Sequence, residues 1–102
     1  CDHNSVENAL IVKKVGAKEG IVVFTGMEIT SSEEAHLLAF FDDEHALYKM
    51  QDIVYENLSG ENDENFFGKQ VVIDEHGKEA GCNSRLLITT TALPVEEIIR
   101  LV

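Results

Sequence analysis

The sequence predicts an α/β fold, and three observations predict it. Two short apolar runs, residues 21–24 and 37–41, are rich in β-branched and aromatic side chains, which suits strands covered on both faces of a parallel or mixed sheet. Ala46, Leu47, Met50, Ile53, Val54 and Leu58 recur at three- and four-residue spacing, the stripe of a helix that packs on such a sheet. Residues 69–73 and 78–80 flank Asp74-Glu75-His76-Gly77, a turn in which Gly77 supplies the left-handed position of a β-hairpin.

Along the chain, Asn4 with Glu7 three residues on makes an approximate capping box, so a first helix is expected from about Ser5. Val6, Ala9, Leu10, Val12 and Val15 give it an apolar side to cover the sheet, and Gly20 is placed to end it. After the strand to Phe24, Gly26 lets the backbone bend and Glu28-Ile29-Thr30 alternates like an exposed continuation. Ser31-Ser32-Glu33-Glu34 reads as a polar turn with both acids solvated. Glu28 and His36 therefore fall at neighbouring strand ends. Asp42 and Asp43 cap the helix over 46–58, where carboxylates meet the positive end of its dipole. Residues 59–68 read as an acidic loop whose Phe66 and Phe67 turn back onto the core. Pro94 opens a last helix, with Val95, Ile98, Ile99 and Val102 on one face.

The 102 residues are 44% hydrophobic and carry 19 acidic against 8 basic side chains, a formal charge of -11. Such a surface opposes the counterion release that drives polyanion binding, so no nucleic-acid partner is expected. No apolar run approaches the ~20 residues of a membrane-spanning helix, so no membrane partner is expected either. An anionic small molecule would need bound cations to reverse the local field. Cys1 and Cys82 form neither a C-x-x-C pair nor a disulfide framework, which suits a reducing, cytoplasmic setting and a passive Cys82.

A carboxylate can bridge two cations and a neutral imidazole supplies one directional nitrogen, so Glu28 and His36 suit metal binding. Their eight-residue interval matches no local metal motif and equally fits a loop acid beside a strand-edge histidine. The opening, Cys1-Asp2-His3-Asn4-Ser5, sets a second acid and imidazole just before the first helix.

The order D-H-N, a helix, G-M-E-I-T and then H-L-L resembles the PHP (polymerase and histidinol phosphatase) family of metal-dependent phosphoesterases, most loosely over residues 59–102. The resemblance implies a partial, distorted TIM-like (β/α)7 barrel with a small β-hairpin insertion that helps shape the substrate pocket. It implies that His3 and His36 each ligate a metal, that Glu28 bridges two, and that Asp2 orients or ligates. Two or three divalent ions, whether zinc, manganese or iron, would then activate water to hydrolyse a phosphorylated small molecule. The family's H-x-H strand and its late histidine and D-x-H segments have no counterpart here. The chain is therefore expected to be an internal piece of such a domain, inactive alone and prone to self-association through open strand edges and uncovered helix faces. Over residues 85–91, the strand propensity of Ile88 and the threonines competes with a short helix implied by the resemblance, and the helix is the expectation. A non-catalytic α/β interaction or regulatory module is the competing reading, because three inferred ligands make an incomplete site.

Overall fold

The computed structural model describes residues 1–102, in which four helices accompany two separate two-stranded antiparallel sheets. In chain order they are α1 (Ala9–Lys18), β1 (Thr25–Thr30), β2 (His36–Phe41), α2 (Glu44–Glu56), α3 (Glu64–Phe67), β3 (Val71–Ile73), β4 (Glu79–Cys82) and α4 (Val95–Leu101).

This is not a piece of a TIM-like (β/α)7 barrel, and the expected parallel sheet covered on both faces does not form. β1 and β2 pair antiparallel, from Thr25 with Phe41 to Thr30 with His36. Residues 31–35 alone join them, and a link this short returns the chain antiparallel, since a parallel crossover needs roughly a dozen residues or more. On the other edge of β1 the N-terminal segment runs parallel: Glu28 N–H donates to the Asp2 carbonyl at 2.9 Å and Asn4 N–H to the Glu28 carbonyl at 3.0 Å.

The strand expected over residues 21–24 is displaced to Thr25–Thr30, leaving Ile21, Val22 and Phe24 exposed. Side chains alternate across a strand, so Met27 and Ile29, opposite Ala39 and Leu37, face inward. They meet Leu47, Met50 and Val54 of α2, and Val6, Leu93 and Ile98 complete the core. Gly26 is needed where the strands approach, because a Cβ there would collide with the Ala39 carbonyl oxygen. α2 forms as the sequence predicts, with the Asp43 carboxylate accepting from the backbone N–H groups of His45 and Ala46.

The first helix does not begin near Ser5 under an Asn4 cap; it begins at Ala9, because both asparagines are engaged over long range. Asn4, fully buried at φ 51°, turns the chain out of the ladder. Its Oδ1 then accepts from Thr30 N–H at 3.0 Å, continuing for one rung the pattern that the Asp2 carbonyl makes with Glu28. Its Nδ2 donates to the carbonyls of Leu87 and Thr89, both at 2.9 Å. Asn8 brackets β3 likewise, donating to Val71 O at 3.0 Å and accepting from Ile73 N–H at 2.9 Å. α1 itself buries no residue fully and leaves Val12 and Val15 exposed, so it covers the sheet only in part, through Ala9 and Leu10, which pack against the core.

Residues 85–91 form no helix. Two of the carbonyls that a helix would use internally serve Asn4, while the Thr91 N–H and hydroxyl both donate to Thr30 O. Phe66 and Phe67 do not tuck into the core; they stay exposed and pack edge-on against each other, centroids 4.7 Å apart. The β3–β4 hairpin does form, its turn held by Asp74 Oδ1 accepting from His76 N–H at 2.8 Å and Lys78 N–H at 3.0 Å. α4 buries Ile98 but leaves Ile99 and Val102 exposed. Glu33 is exposed, as expected of a turn acid, but its carboxylate also accepts from Val95 N–H at 3.0 Å at the start of α4, and that bond holds its carboxyl below the usual range. No helix is long and apolar enough to cross a membrane.

Candidate metal centre

Three main-chain segments set the candidate site side by side. His3 bridges Glu28 from the N-terminal segment, and Leu38 faces Glu28 from β2. His36, two residues before Leu38, therefore projects from the same face, diagonal to Glu28. Glu28 sits in the middle of β1 and not at a strand end, whereas His36 is the first residue of β2. Backbone pairing alone thus brings together residues far apart in sequence.

The two oxygens of the Glu28 carboxylate serve different imidazoles. His3 Nδ1 lies 3.4 Å from Oε2 and His36 Nδ1 lies 3.2 Å from Oε1. The rings stand edge to face with centroids 5.6 Å apart, and one donor atom from each residue falls within 4.8 Å of the others. With metal–ligand bonds of about 2.1 Å, neighbouring donors on one cation sit about 3.0 Å apart in an octahedron and about 3.4 Å apart in a tetrahedron. Both nitrogen–oxygen separations fit the edge of such a polyhedron. Side-chain exposures of 44% for His3, 32% for Glu28 and 50% for His36 leave the group open to a cation from solvent. Beside it on the sheet, the Thr30 hydroxyl is buried with no hydrogen-bond partner. The donor set of two imidazoles and one carboxylate therefore fits zinc, manganese or iron.

Asp2 is not drawn into this trio; its carbonyl belongs to the ladder and its residue is exposed. His45 and His76 are exposed and stand outside the trio. Cys1 and Cys82 are free, and the hydrogen bond from Cys82 to the Glu79 carboxylate pushes that thiol up, away from thiolate chemistry.

Next to His3 opens a cleft of about 320 Å³, which sequence reasoning missed. Ser5, Glu7 and Asn83 of its polar wall are tied together through Tyr55 behind them: Asn83 Nδ2 donates to Glu7 Oε2 and to the Tyr55 hydroxyl, both at 2.8 Å, and Tyr55 lies 2.8 Å from Ser5 Oγ. Burial pushes the Tyr55 phenol up, so it stays a neutral hydroxyl between its two partners. These residues come from the N-terminal segment, α2 and the stretch after β4. No local pattern links them, so nothing in the sequence singled them out.

Comparison with family models, with curated proteins and with solved structures finds no match for this chain.

Proposed function

We propose that this chain carries part of a metal-dependent phosphoesterase site, in which His3, Glu28 and His36 hold divalent cations. The observation that supports it most is the single carboxylate whose two oxygens each face a different imidazole, at 3.4 and 3.2 Å, separations that two ligands of one cation can have. That arrangement suits Glu28 as a bridge, with His3 and His36 each directing one nitrogen to a separate cation. The order of D-H-N, G-M-E-I-T and H-L-L adds the resemblance to the PHP phosphoesterases.

A divalent cation bound there supplies Lewis acidity toward a phosphoryl oxygen and acidifies water. Glu28 fixes the separation of the two imidazoles and offsets cation charge. His3 and His36 serve as neutral ligands, and exposure on the open face lets substrate approach. In the hydrolysis, the water oxygen forms the new bond to phosphorus and the bond from phosphorus to the alcohol oxygen breaks. The departing alcohol takes up a proton from that water. On a chain of charge -11, an anionic phosphate needs such cations to bind at all. Two free, exposed thiols support a reducing, cytoplasmic setting.

Zinc and manganese titration by calorimetry is the direct test. Glu28→Gln is expected to weaken binding by roughly 100-fold, since it removes the carboxylate charge and one of two donor oxygens, whereas Glu33→Gln, in the link between β1 and β2, leaves it unchanged. Chelator-sensitive hydrolysis of 4-nitrophenyl phosphate, lost with Glu28→Gln, is expected of a protein that supplies the remaining ligands and not of these 102 residues alone. Wild-type protein that binds neither metal would sink the reading. It would favour the second one, an interaction module, which draws support from the exposed Val22, Phe24, Leu38 and Phe40.

A further inference from the structure

We propose that the cleft beside His3 receives the alcohol portion of the phosphate ester and selects one that is partly apolar, not anionic, and carries a hydrogen-bond donor for Glu7. This rests on the phosphoesterase reading and names the substrate class that the same site would take. A cleft of about 320 Å³ is at the small end for a ligand pocket, enough for one compact group next to the phosphate.

The class follows from which polar atoms remain free. Phe67, Val71, Val72, Leu87 and Ile88 supply apolar lining. Asn8 is committed to β3 through both ends of its amide. Gln70 donates to the carbonyls of Asn83 and Arg85 and accepts from Leu87 N–H. Asn83 donates to Glu7 and Tyr55 and accepts from Arg85 N–H. Every side-chain amide in the cleft is thus engaged by the chain itself. Ser5 Oγ is engaged by Tyr55 and Glu7 N–H, and His3 belongs to the metal trio; what remains is acceptor capacity on the Glu7 and Asp2 carboxylates, and neither Lys nor Arg lines the space. Arg85, close by, stacks on Tyr55 with its guanidinium 3.9 Å from the ring centroid. A ligand group bearing a second anion would meet two carboxylates and no lysine or arginine, with only the Ser5 hydroxyl and the ring of His3 as neutral donors, which leaves its charge uncompensated on desolvation. An ammonium or hydroxyl on an apolar frame meets acceptors held in place by the Tyr55–Asn83 network.

A matched pair of non-hydrolysable probes tests this on the zinc-supplemented protein: 4-(aminomethyl)benzylphosphonate and 4-carboxybenzylphosphonate, titrated by calorimetry. The amine is expected to bind at least roughly tenfold tighter, as one partly screened ion pair allows. Glu7→Gln, which keeps an acceptor for Asn83, should bring the two affinities close together while zinc affinity and thermal midpoint stay put. Equal affinities in wild-type protein, or a preference for the carboxylate, with zinc still bound, would overturn the assignment of the cleft and leave the metal reading standing. If zinc itself does not bind, the cleft is read alone with benzylamine and benzoate on the metal-free protein. Amide resonance shifts at Phe67, Asn83 and Ile88 with benzylamine and not with benzoate uphold the selectivity. Shifts with both or with neither refute it.

Discussion

Replacing Asn4 with Asp keeps the size of the side chain, its tolerance of a left-handed backbone at φ 51°, and one oxygen to accept from Thr30 N–H at 3.0 Å. What changes is the other end. Two hydrogen bonds to the carbonyls of Leu87 and Thr89, each 2.9 Å long, become contacts of a carboxylate oxygen with two carbonyl oxygens. Two lost bonds cost about 1 kcal/mol each, and leaving two half-buried carbonyls without donors adds about 1–3 kcal/mol, so the expected loss is about 3–5 kcal/mol at pH 7. A domain of this size is stable by roughly 5–15 kcal/mol, and each kcal/mol moves the midpoint by about 4–8 °C, so the variant should melt at least about 12 °C lower. Urea unfolding followed by circular dichroism measures the loss directly through its midpoint at constant slope. Asn4→Asp should recover part of the loss at acid pH, where the protonated carboxyl can donate again. A loss below about 1 kcal/mol at pH 7 would show that the amide is not the bolt between the N-terminal segment and residues 87–89.

Two further outcomes follow from charges and surface. Backbone N–H groups hold the carboxyls of Glu33 and Asp74 below their ordinary values of 4.5 and 3.8, so their contribution is complete above those values and disappears as pH falls through the lower folded values. The Glu33→Gln, Asp74→Asn double variant should therefore lose less stability than wild type below about pH 4.5 in urea titrations, and parallel acid profiles would contradict this. The exposed surface is 6418 Å², against about 5,700 Å² for a monomer of this mass, and the surplus is close to the roughly 800 Å² per partner of a standard interface. A second copy docking along the open edge of β2, beside Leu38 and Phe40, would cover it, so sedimentation should show association that strengthens with salt as the charge of -11 is screened; a monomer at low and high salt would refute it.

What the sequence disclosed was local. The α2 stripe, its Asp43 cap and the hairpin turn at Gly77 rest on contacts within a few residues, and they form where periodicity and turn chemistry put them. The misplaced elements depended on distant partners. An apolar run such as residues 21–24 signals burial without saying what covers it, and here only Val23 is covered, against Gly16 of α1, while Val22 is 81% exposed. Asn4 has the composition of a helix cap, but competition from carbonyls more than eighty positions away decides its role. The length of the link over residues 31–35 was readable from the start and argued for an antiparallel return. The apolar character of the strands on either side obscured it.

The grouping of His3, Glu28 and His36 was legible for a different reason from the one that produces it. Motif order named the residues, whereas their meeting depends on two registers: β1 against β2, and the N-terminal segment against β1. A one-residue slip in either would send an imidazole to the opposite face, toward Met27 and Ile29, because side chains alternate along a strand. The inward packing of Met27 and Ile29 against α2 fixes the first register. The second is fixed by Asp2, Asn4 and the left-handed turn at Asn4 that ends the pairing after His3. The hydrophobic core and one buried amide therefore determine whether three polar, half-exposed residues form a site at all. It follows that Asn4→Asp, at a side chain that hydrogen-bonds no candidate ligand, should weaken metal binding along with stability, because it loosens the strand on which His3 is carried.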